Sequence, residues 1–220
     1  MSFDIAKYID HSLLKPTTTE AEITKLCAEV SAHSFAAVCV PPYYVPHAKR
    51  VLKSKVKIAT VVGFPMGYGS SVAKVVEIHD SLRLGATEID MVQNIAALKS
   101  GDWKKLEKEI AACIEPVRSA GAIIKLILET GLLHERELDD CCKLYSNFDI
   151  DFMKTSTGFN GDGATVEAVQ FMRAHLPERM GIKASGGIRT FAFAKELVDA
   201  GATRIGTSAG VDIVKESKEA

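Results

Sequence analysis

The sequence predicts an α/β protein with a (β/α)8 barrel, the TIM-barrel architecture, formed by a single domain over residues 1–220. Two observations support this prediction. Stretches with a helical polar–apolar pattern alternate along the chain with short apolar runs, and eight such runs are present. Several helical stretches also end at glycine followed by alanine, at Gly85, Gly121 and Gly201, and glycine is the residue expected just after a helix. Eight regular units favour the closed barrel over a doubly wound open sheet, which is the alternative.

The candidate strands follow one another at regular intervals. In chain order they are YIDHSLL (8–14), AAVCV (36–40), KIATVVGF (57–64), EIDMVQN (88–94), IIKLILET (123–130), DFMKTST (151–157), GIKASGG (181–187) and RIGTSAG (204–210). Most are nearly continuously apolar, as expected of parallel strands covered by helices, and the first is the weakest because His11 and Ser12 interrupt it. Each gap is long enough for a helix, as at 70–85 and 165–176, and no Pro/Ser-rich linker divides the chain.

Composition argues against several classes of function. The chain has 27 Lys and Arg residues against 28 Asp and Glu residues, so neither a nucleic acid nor a membrane is indicated as a partner. The N-terminal residues lack the apolar segment of a secretory signal, and no run approaches the roughly 20 apolar residues of a membrane helix. Five cysteines without CxxC spacing predict free thiols in a reducing compartment, and therefore a cytoplasmic protein. Isolated histidines and the absence of nucleotide-binding motifs give no support for a metal or nucleotide site.

Five charged residues in the predicted strands are candidates for the end of the barrel that forms the active site. They are Asp10, Asp90, Lys125, Lys154 and Lys183. Lys154 and Lys183 are followed by small residues, in KTSTG and KASGG, which leave space for a ligand. Lys125 is expected instead to point outward and extend between the helices. Asp90 is either a functional carboxylate or a purely structural partner of a lysine, because a buried charge needs a counter-charge.

Two lysines and an aspartate that face one cavity are suited to Schiff-base chemistry. A lysine amine becomes a nucleophile at neutral pH when burial and a nearby cation lower its pKa. Its attack on an aldehyde or ketone gives an imine, which accepts electrons while an adjacent carbon–carbon bond breaks. An aspartate can transfer the protons that these steps require. The sequence therefore predicts a lysine that binds a carbonyl compound covalently.

The last two predicted strands end in glycine-rich segments, SGGIRT (185–190) and GTSAG (206–210). In barrels this position commonly binds phosphate through loop amides and a short helix N-terminus. The alternative is that these glycines only form tight turns. The residues predicted for an anion site are Gly158, Gly186, Gly187, Arg189, Gly206 and Ser208.

Five segments, in order along the chain, resemble the deoxyribose-phosphate aldolases, a family of class I aldolases. They are YIDHSLLKP, ATVVGFP, EIDMV, KTSTGF and GIKASGGIRT, and the resemblance extends from about residue 8 to residue 210. It implies reversible cleavage of 2-deoxy-D-ribose 5-phosphate to D-glyceraldehyde 3-phosphate and acetaldehyde, without a metal or organic cofactor. Barrels of this type often form dimers or tetramers, so a homo-oligomer is expected.

The resemblance assigns four catalytic residues by position. Lys154 matches the lysine that forms the Schiff base, and Lys183 matches the second lysine, which is expected to keep Lys154 partly neutral. Asp90 matches the aspartate of the E-x-D segment, and Asp10 matches an aspartate that supports the lysines. Cys39 matches a cysteine that lines the pocket of some relatives without an essential role.

The sequence departs from the family pattern at two positions. Some relatives have a lysine directly after STG, where this chain has Phe159, and some place a C-terminal tyrosine over the site, whereas the last aromatic residue here is Phe193. Phosphate recognition is therefore expected to depend on backbone amides and Arg189. Two alternative functions remain: another Schiff-base barrel aldolase, such as a transaldolase-like enzyme, and a non-catalytic barrel that binds sugar phosphates.

Overall fold

A computed structural model describes residues 3–53 and 56–219 of the chain. Its strands form one closed parallel barrel in sequence order, in which β8 also pairs with β1, and the predicted single-domain (β/α)8 barrel is therefore confirmed. The strands are β1 (Ile9–Ser12), β2 (Ala37–Val40), β3 (Lys57–Val62), β4 (Glu88–Val92), β5 (Ile123–Ile127), β6 (Phe152–Lys154), β7 (Gly181–Ser185) and β8 (Arg204–Thr207).

Helices cover the outside of the barrel. The α-helices are α1 (Glu20–His33), α2 (Val45–Leu52), α3 (Ser71–Leu84), α4 (Ile95–Lys99), α5 (Trp103–Ser119), α6 (Glu135–Tyr145), α7 (Val166–His175), α8 (Phe191–Asp199) and α9 (Gly210–Glu216). Short 3-10 helices cover Ile5–Tyr8, Pro42–Tyr44 and Thr130–Leu132. Helices α3 and α7 correspond to the two predicted at 70–85 and 165–176. None of the helices in the described ranges has both the length and the apolar character needed to cross a membrane.

Local sequence signals set the ends of the helices. Helix α3 begins where the side chain of Ser70 accepts a hydrogen bond from the backbone N–H of Ala73, and it ends at Gly85. The predicted helix-terminal glycines Gly85, Gly121 and Gly201 have φ angles of 115°, 63° and 115°. This left-handed conformation is open to glycine at little cost, so the three positions behave as predicted.

Strands β6 and β7 end earlier than predicted, at Lys154 and Ser185. Thr157 donates its backbone N–H to the carboxylate of Glu129 (3.0 Å) instead of continuing the sheet. Gly186 has a φ angle of 91°, which a strand does not contain. The residues after these two strand ends therefore form loops above the barrel.

Side chains along each strand point alternately out of the barrel and into it, and the two sets lie in different environments. Outward-facing apolar side chains pack with the helices in one continuous core, whereas Cys39, Ala59 and Val61 form a small separate cluster on β2 and β3. Lys125 was predicted to point outward, and this prediction is wrong. Its side chain is 0% exposed inside the barrel, because Asp90 lies beside it in the register of β4 and β5 and supplies a counter-charge.

Candidate active site

The carboxylate of Asp90 on β4 binds three lysines. Its Oδ1 accepts a hydrogen bond from Nζ of Lys125 at 2.8 Å, and its Oδ2 accepts one each from Nζ of Lys154 and Lys183 at 2.7 Å. All four side chains are buried. Lys154 and Lys183 are also neighbours in the register of β6 and β7. The barrel thus brings together Asp90, Lys154 and Lys183, which the sequence places far apart.

Asp10 on β1 extends this network to the other side of Lys183. Its Oδ2 lies 2.5 Å from Nζ of Lys183 and 3.6 Å from Nζ of Lys125, and its Oδ1 lies 2.6 Å from Nη1 of Arg204. Nζ of Lys183 is therefore held between two carboxylates, from Asp10 and Asp90. This contact places Asp10 beside the lysines, where the resemblance put it.

Sequence reasoning missed two members of the network, Glu88 and Arg204. Oε2 of Glu88 lies 2.6 Å from Nζ of Lys125 and 3.4 Å from Nη1 of Arg204. Glu88 precedes Asp90 by two residues on the same strand, so both carboxylates face the same side of the sheet. That spacing was the available signal, since two inward carboxylates require cations beyond Lys154 and Lys183.

The network contains more cations than carboxylates. Within the described ranges it has three carboxylates and four cations, namely Asp10, Glu88 and Asp90 against Lys125, Lys154, Lys183 and Arg204. Loss of one proton from a cation would balance these charges. The guanidinium of Arg204 does not lose its proton in proteins, so the candidate must be a lysine.

The directions of the pKa shifts identify that lysine. Burial alone would lower the pKa of Lys125 and Lys183, but their carboxylate partners outweigh burial and raise the pKa of both. Burial lowers the pKa of Lys154, and Lys183 adds to this effect, whereas Asp90 opposes it. Burial would raise the pKa of Asp90, but the three lysines hold it well below its ordinary value. Lys154 is thus the cation of the network that most readily becomes a neutral amine.

A cavity of about 380 Å³ opens next to Lys154, at the carboxyl ends of β6, β7, β8 and β1. Lys154 is one of its lining residues. The cavity is also lined by every residue predicted for the anion site, namely Gly158, Gly186, Gly187, Arg189, Gly206 and Ser208. The wall of the cavity therefore combines the amine of Lys154 with glycine-rich loops.

Backbone hydrogen-bond donors and two exposed cationic side chains border this cavity. In the part of the chain that the structure describes, the backbone N–H groups of Gly158, Gly187 and Ser208 make no hydrogen bond. Arg189 is exposed at the rim, and so is Lys15 from the loop after β1. Sequence reasoning missed Lys15, because an exposed lysine in a loop has no pattern that distinguishes it. Together these groups can bind an anion.

Of the two other residues that the sequence associates with the site, Phe159 lines the cavity and Cys39 does not. Phe159 is 49% exposed and packs edge-to-face on Phe64, with the ring centroids 5.1 Å apart. Cys39 is a buried free thiol whose pKa is raised, mainly by burial. Burial thus keeps this thiol protonated and unreactive at neutral pH.

Comparisons with known proteins find aldolases that match nearly the whole chain. The family model described as "DeoC/LacD family aldolase" matches residues 5–216. A deoxyribose-phosphate aldolase of Caldanaerobacter subterraneus subsp. tengcongensis is 50% identical over 218 residues, which cover 98% of this chain and 94% of that protein. A deoxyribose-phosphate aldolase of Thermococcus gammatolerans is 47% identical and is covered to 99%. Among solved structures, the tetrameric deoxyribose phosphate aldolase of Aeropyrum pernix matches with a TM-score of 0.90 and 33% identity, over 97% of this chain and 91% of that one.

Proposed function

The chain belongs to the DeoC/LacD family of aldolases, and on that premise we propose that it cleaves 2-deoxy-D-ribose 5-phosphate reversibly to D-glyceraldehyde 3-phosphate and acetaldehyde. In this proposal Lys154 forms the Schiff base. One observation supports it above all others: Lys154 lines the cavity and is also the network lysine whose pKa is lowered.

The reaction begins with the neutral amine of Lys154, which attacks the aldehyde carbon of the open-chain sugar. Loss of water gives an iminium ion. A base then removes the proton of the C3 hydroxyl, the C2–C3 bond breaks, and its electrons neutralise the iminium as an enamine. Protonation of the enamine at carbon and hydrolysis of the resulting imine release acetaldehyde and restore the amine.

Asp90 is the base in this scheme, acting directly or through a water molecule. In the resting site three lysines hold its pKa low, which makes it a weak base. Bond cleavage neutralises the nitrogen of Lys154 and leaves Asp90 with two cations, Lys125 and Lys183. The basicity of Asp90 therefore rises as the C3 proton reaches it. Asp10 keeps Lys183 cationic through the whole cycle.

The glycine-rich loops bind the phosphate of the substrate. The unpaired N–H groups of Gly158, Gly187 and Ser208 point to this role, and Arg189 and Lys15 add positive charge at the rim. This chain has Phe159 where some relatives have a lysine, so the positive charge comes from Arg189 and from Lys15 in the loop after β1. Hydrogen bonds to a charged phosphate are stronger than neutral ones, which favours the phosphorylated sugar.

The proposal extends to assembly, compartment and cofactors. The imine itself accepts the electrons of the broken bond, so the chemistry requires no metal or organic cofactor. We expect a homo-oligomer, a dimer or a tetramer as in the Aeropyrum pernix relative, and light scattering that gave a monomer mass would contradict this. We expect a cytoplasmic location from the five free thiols, and recovery of the protein outside the cytoplasm on cell fractionation would contradict it.

Reductive trapping tests the proposed function. Borohydride added in the presence of acetaldehyde should attach one ethyl group to the peptide that contains Lys154, as measured by mass spectrometry. Dihydroxyacetone should give no adduct, whereas a transaldolase-like enzyme would be trapped with it. Lys74, another buried lysine, serves as an internal control and should remain unmodified. An adduct confined to Lys183 or Lys125 would reassign the nucleophile, and no adduct at all would favour a non-catalytic binding protein.

A further inference from the structure

We propose that Glu129 is a positioning residue that holds the loop after β6 against the phosphate-binding loop after β7. The proposal rests on the proposed function, because it concerns how the same cavity selects a phosphorylated sugar. Glu129 itself does not line the cavity and touches no reacting atom. It would act through the residues that its carboxylate binds.

Three hydrogen bonds converge on the buried carboxylate of Glu129. Its Oε1 accepts the backbone N–H of Thr157 at 3.0 Å, and its Oε2 accepts the hydroxyl of Thr157 at 2.5 Å and Nδ2 of Asn160 at 3.3 Å. Glu129 is 0% exposed, so these donors compensate for the water that its carboxylate has lost. Hydrogen bonds to a buried carboxylate are of the stronger kind.

The backbone of Glu129 also has an uncommon conformation. Its φ and ψ angles are 59° and 58°, in the left-handed region, which is unfavourable for a residue with a side chain. Such a conformation persists where the surrounding contacts hold it in place, and it occurs often at functional sites. Glycine or asparagine would adopt it more cheaply, but neither residue would place a carboxylate at Thr157 and Asn160.

The contacts of Glu129 determine which amide of the β6 loop faces the cavity. The N–H of Thr157 is bound by Glu129, and the N–H of Phe159 is bound by the hydroxyl of Thr157 at 3.0 Å. Between them, the N–H of Gly158 makes no hydrogen bond within the described residues, and Gly158 lines the cavity. Glu129 therefore holds the turn in which Gly158 offers its amide to an anion.

The same loop packs directly on the phosphate loop after β7. A side chain on Gly163 would bring its Cβ to 2.2 Å from the carbonyl oxygen of Gly186, and one on Gly158 would come to 3.4 Å from the Cα of Gly186. The N–H of Ala164 also donates to the carbonyl oxygen of Ser185 at 3.0 Å. A displacement of the β6 loop would thus displace Gly186 as well.

On its other side, the β6 loop is connected to the loop after β3. Nδ2 of Asn160 donates to the carbonyl oxygen of Pro65 at 2.8 Å, and the ring of Phe159 packs on that of Phe64. Glu129 and Pro65 therefore share one partner, Asn160. This connection joins the loops after β3 and β6, and the substrate cavity lies at the ends of β6, β7, β8 and β1.

The test compares Glu129→Gln with Asp162→Asn, which removes an exposed carboxylate from the same loop and should behave as the wild type. An amide accepts hydrogen bonds at only one of its two ends, so Glu129→Gln places a donor against Thr157 or Asn160. We expect KM for 2-deoxyribose 5-phosphate to rise about tenfold, with a change of less than about threefold in kcat. The kinetic constants for unphosphorylated 2-deoxyribose should change little.

Equal losses with both sugars would overturn the proposal, and so would an unchanged ratio of their kcat/KM values. If Glu129→Gln does not fold, Asn160→Ala, which removes the partly exposed contact, should shift the same ratio in the same direction. Where both variants fold, the double variant should lose less kcat/KM for 2-deoxyribose 5-phosphate than the two single variants lose together, because the two residues act through one contact. Borohydride trapping with acetaldehyde separates the two proposals: a trapped wild type with an unchanged ratio refutes the role of Glu129 alone.

Discussion

Two buried lysines with lowered pKa values lie in different parts of the molecule, and only one of them lines the cavity. Lys154 is in the barrel, beside an aspartate shared with two other lysines. Lys74 is on α3, and its Nζ donates to Glu109 of α5 at 2.6 Å and to the carbonyl oxygen of Val92 at 2.8 Å. In both lysines burial lowers the pKa and a carboxylate opposes it.

The two lysines differ in their access to the cavity and in the balance of charges around them. Lys74 has its own carboxylate, Glu109, which also accepts the hydroxyl of Ser71 at 3.1 Å, so this pair is complete. Lys154 shares Asp90 with Lys125 and Lys183 in a network with one cation in excess. A lowered lysine pKa therefore does not identify a nucleophile by itself. It does so where the amine also faces a cavity and lacks a carboxylate of its own.

The largest expected effect concerns the carboxylate partners of the two lysines. Asp90→Asn keeps the shape of the side chain but removes its basicity, and we expect kcat to fall roughly 10²–10⁴-fold. Steady-state kinetics measure this, and borohydride trapping should still detect an adduct on Lys154. The matched variant Glu109→Gln should retain its kcat per folded molecule. Near-normal turnover of Asp90→Asn would reduce Asp90 to a structural partner of the lysines.

Removal of Lys74 should affect stability and leave the chemistry intact. Lys74→Met leaves the carboxylate of Glu109 buried without its cation, and breaking a buried ion pair in this way costs about 3–5 kcal/mol. Denaturant unfolding measures this loss, and kinetics at a temperature where the variant is folded should give the kcat of the wild type. A lower kcat together with normal stability would show that the two lysines are less distinct than the structure indicates.

Lys183→Leu tests how the environment of Lys154 sets its pKa. Lys183 lowers the pKa of Lys154, so its removal should raise that pKa and leave less neutral amine at pH 7. Activity should fall roughly tenfold for each unit by which the pKa rises, and it should recover as the pH increases toward the new value. The measurement is the pH profile of kcat/KM. A uniform loss without a change in the shape of the profile would argue against this electrostatic role.

The smallest effect is expected from substitution of the cationic residues at the rim of the cavity, which Lys74 does not line. Arg189→Ala should lower kcat/KM for 2-deoxyribose 5-phosphate about 10- to 100-fold, because a charge-assisted hydrogen bond contributes roughly 1.5–3 kcal/mol. Lys15→Ala should act in the same direction, since it removes a second cation from the rim of the cavity. Unphosphorylated 2-deoxyribose is the control. Equal losses with both sugars would mean that Arg189 holds the loop in place and does not bind phosphate.

The barrel and the strand-end positions of several candidate site residues were predictable because their signals are local. Helix-terminal glycines and apolar runs mark each unit, and the small residues after Lys154 and Lys183 mark strand ends that open into a cavity. The side of the strand that Lys125 faces was not predictable in the same way. Ile124 and Leu126 flank it, and both faces of a barrel strand are buried, so alternation does not distinguish inside from outside. Its partner Asp90 is 35 residues away in sequence.

The contacts made by the loops could not be predicted from the sequence for a different reason. Glu129 is the next-to-last residue of the predicted strand 123–130, where a carboxylate is typically exposed at the end of a strand. Its burial depends on a left-handed turn and on donors from Thr157 and Asn160, about 30 residues later, which meet it only when β5 and β6 pair. Lys15 is one exposed lysine among many. Contacts of this kind arise from the closed barrel and leave no periodic pattern in the sequence.

The order of the charges along the chain has a consequence for folding. The carboxylates of the interior network come from β1 and β4, in the first half of the chain, and its cations come from β5, β6, β7 and β8, in the second half. Neither half can therefore neutralise its own interior, and a half-barrel would have to leave these groups in water or bury them unpaired.

We expect the barrel to unfold as one cooperative unit, and separated halves to gain structure only when mixed, which circular dichroism of the two fragments would detect. A half that folded alone would contradict this. The last ion pairs form only when the chain returns to its start, where Asp10 meets Arg204 across 194 residues of sequence.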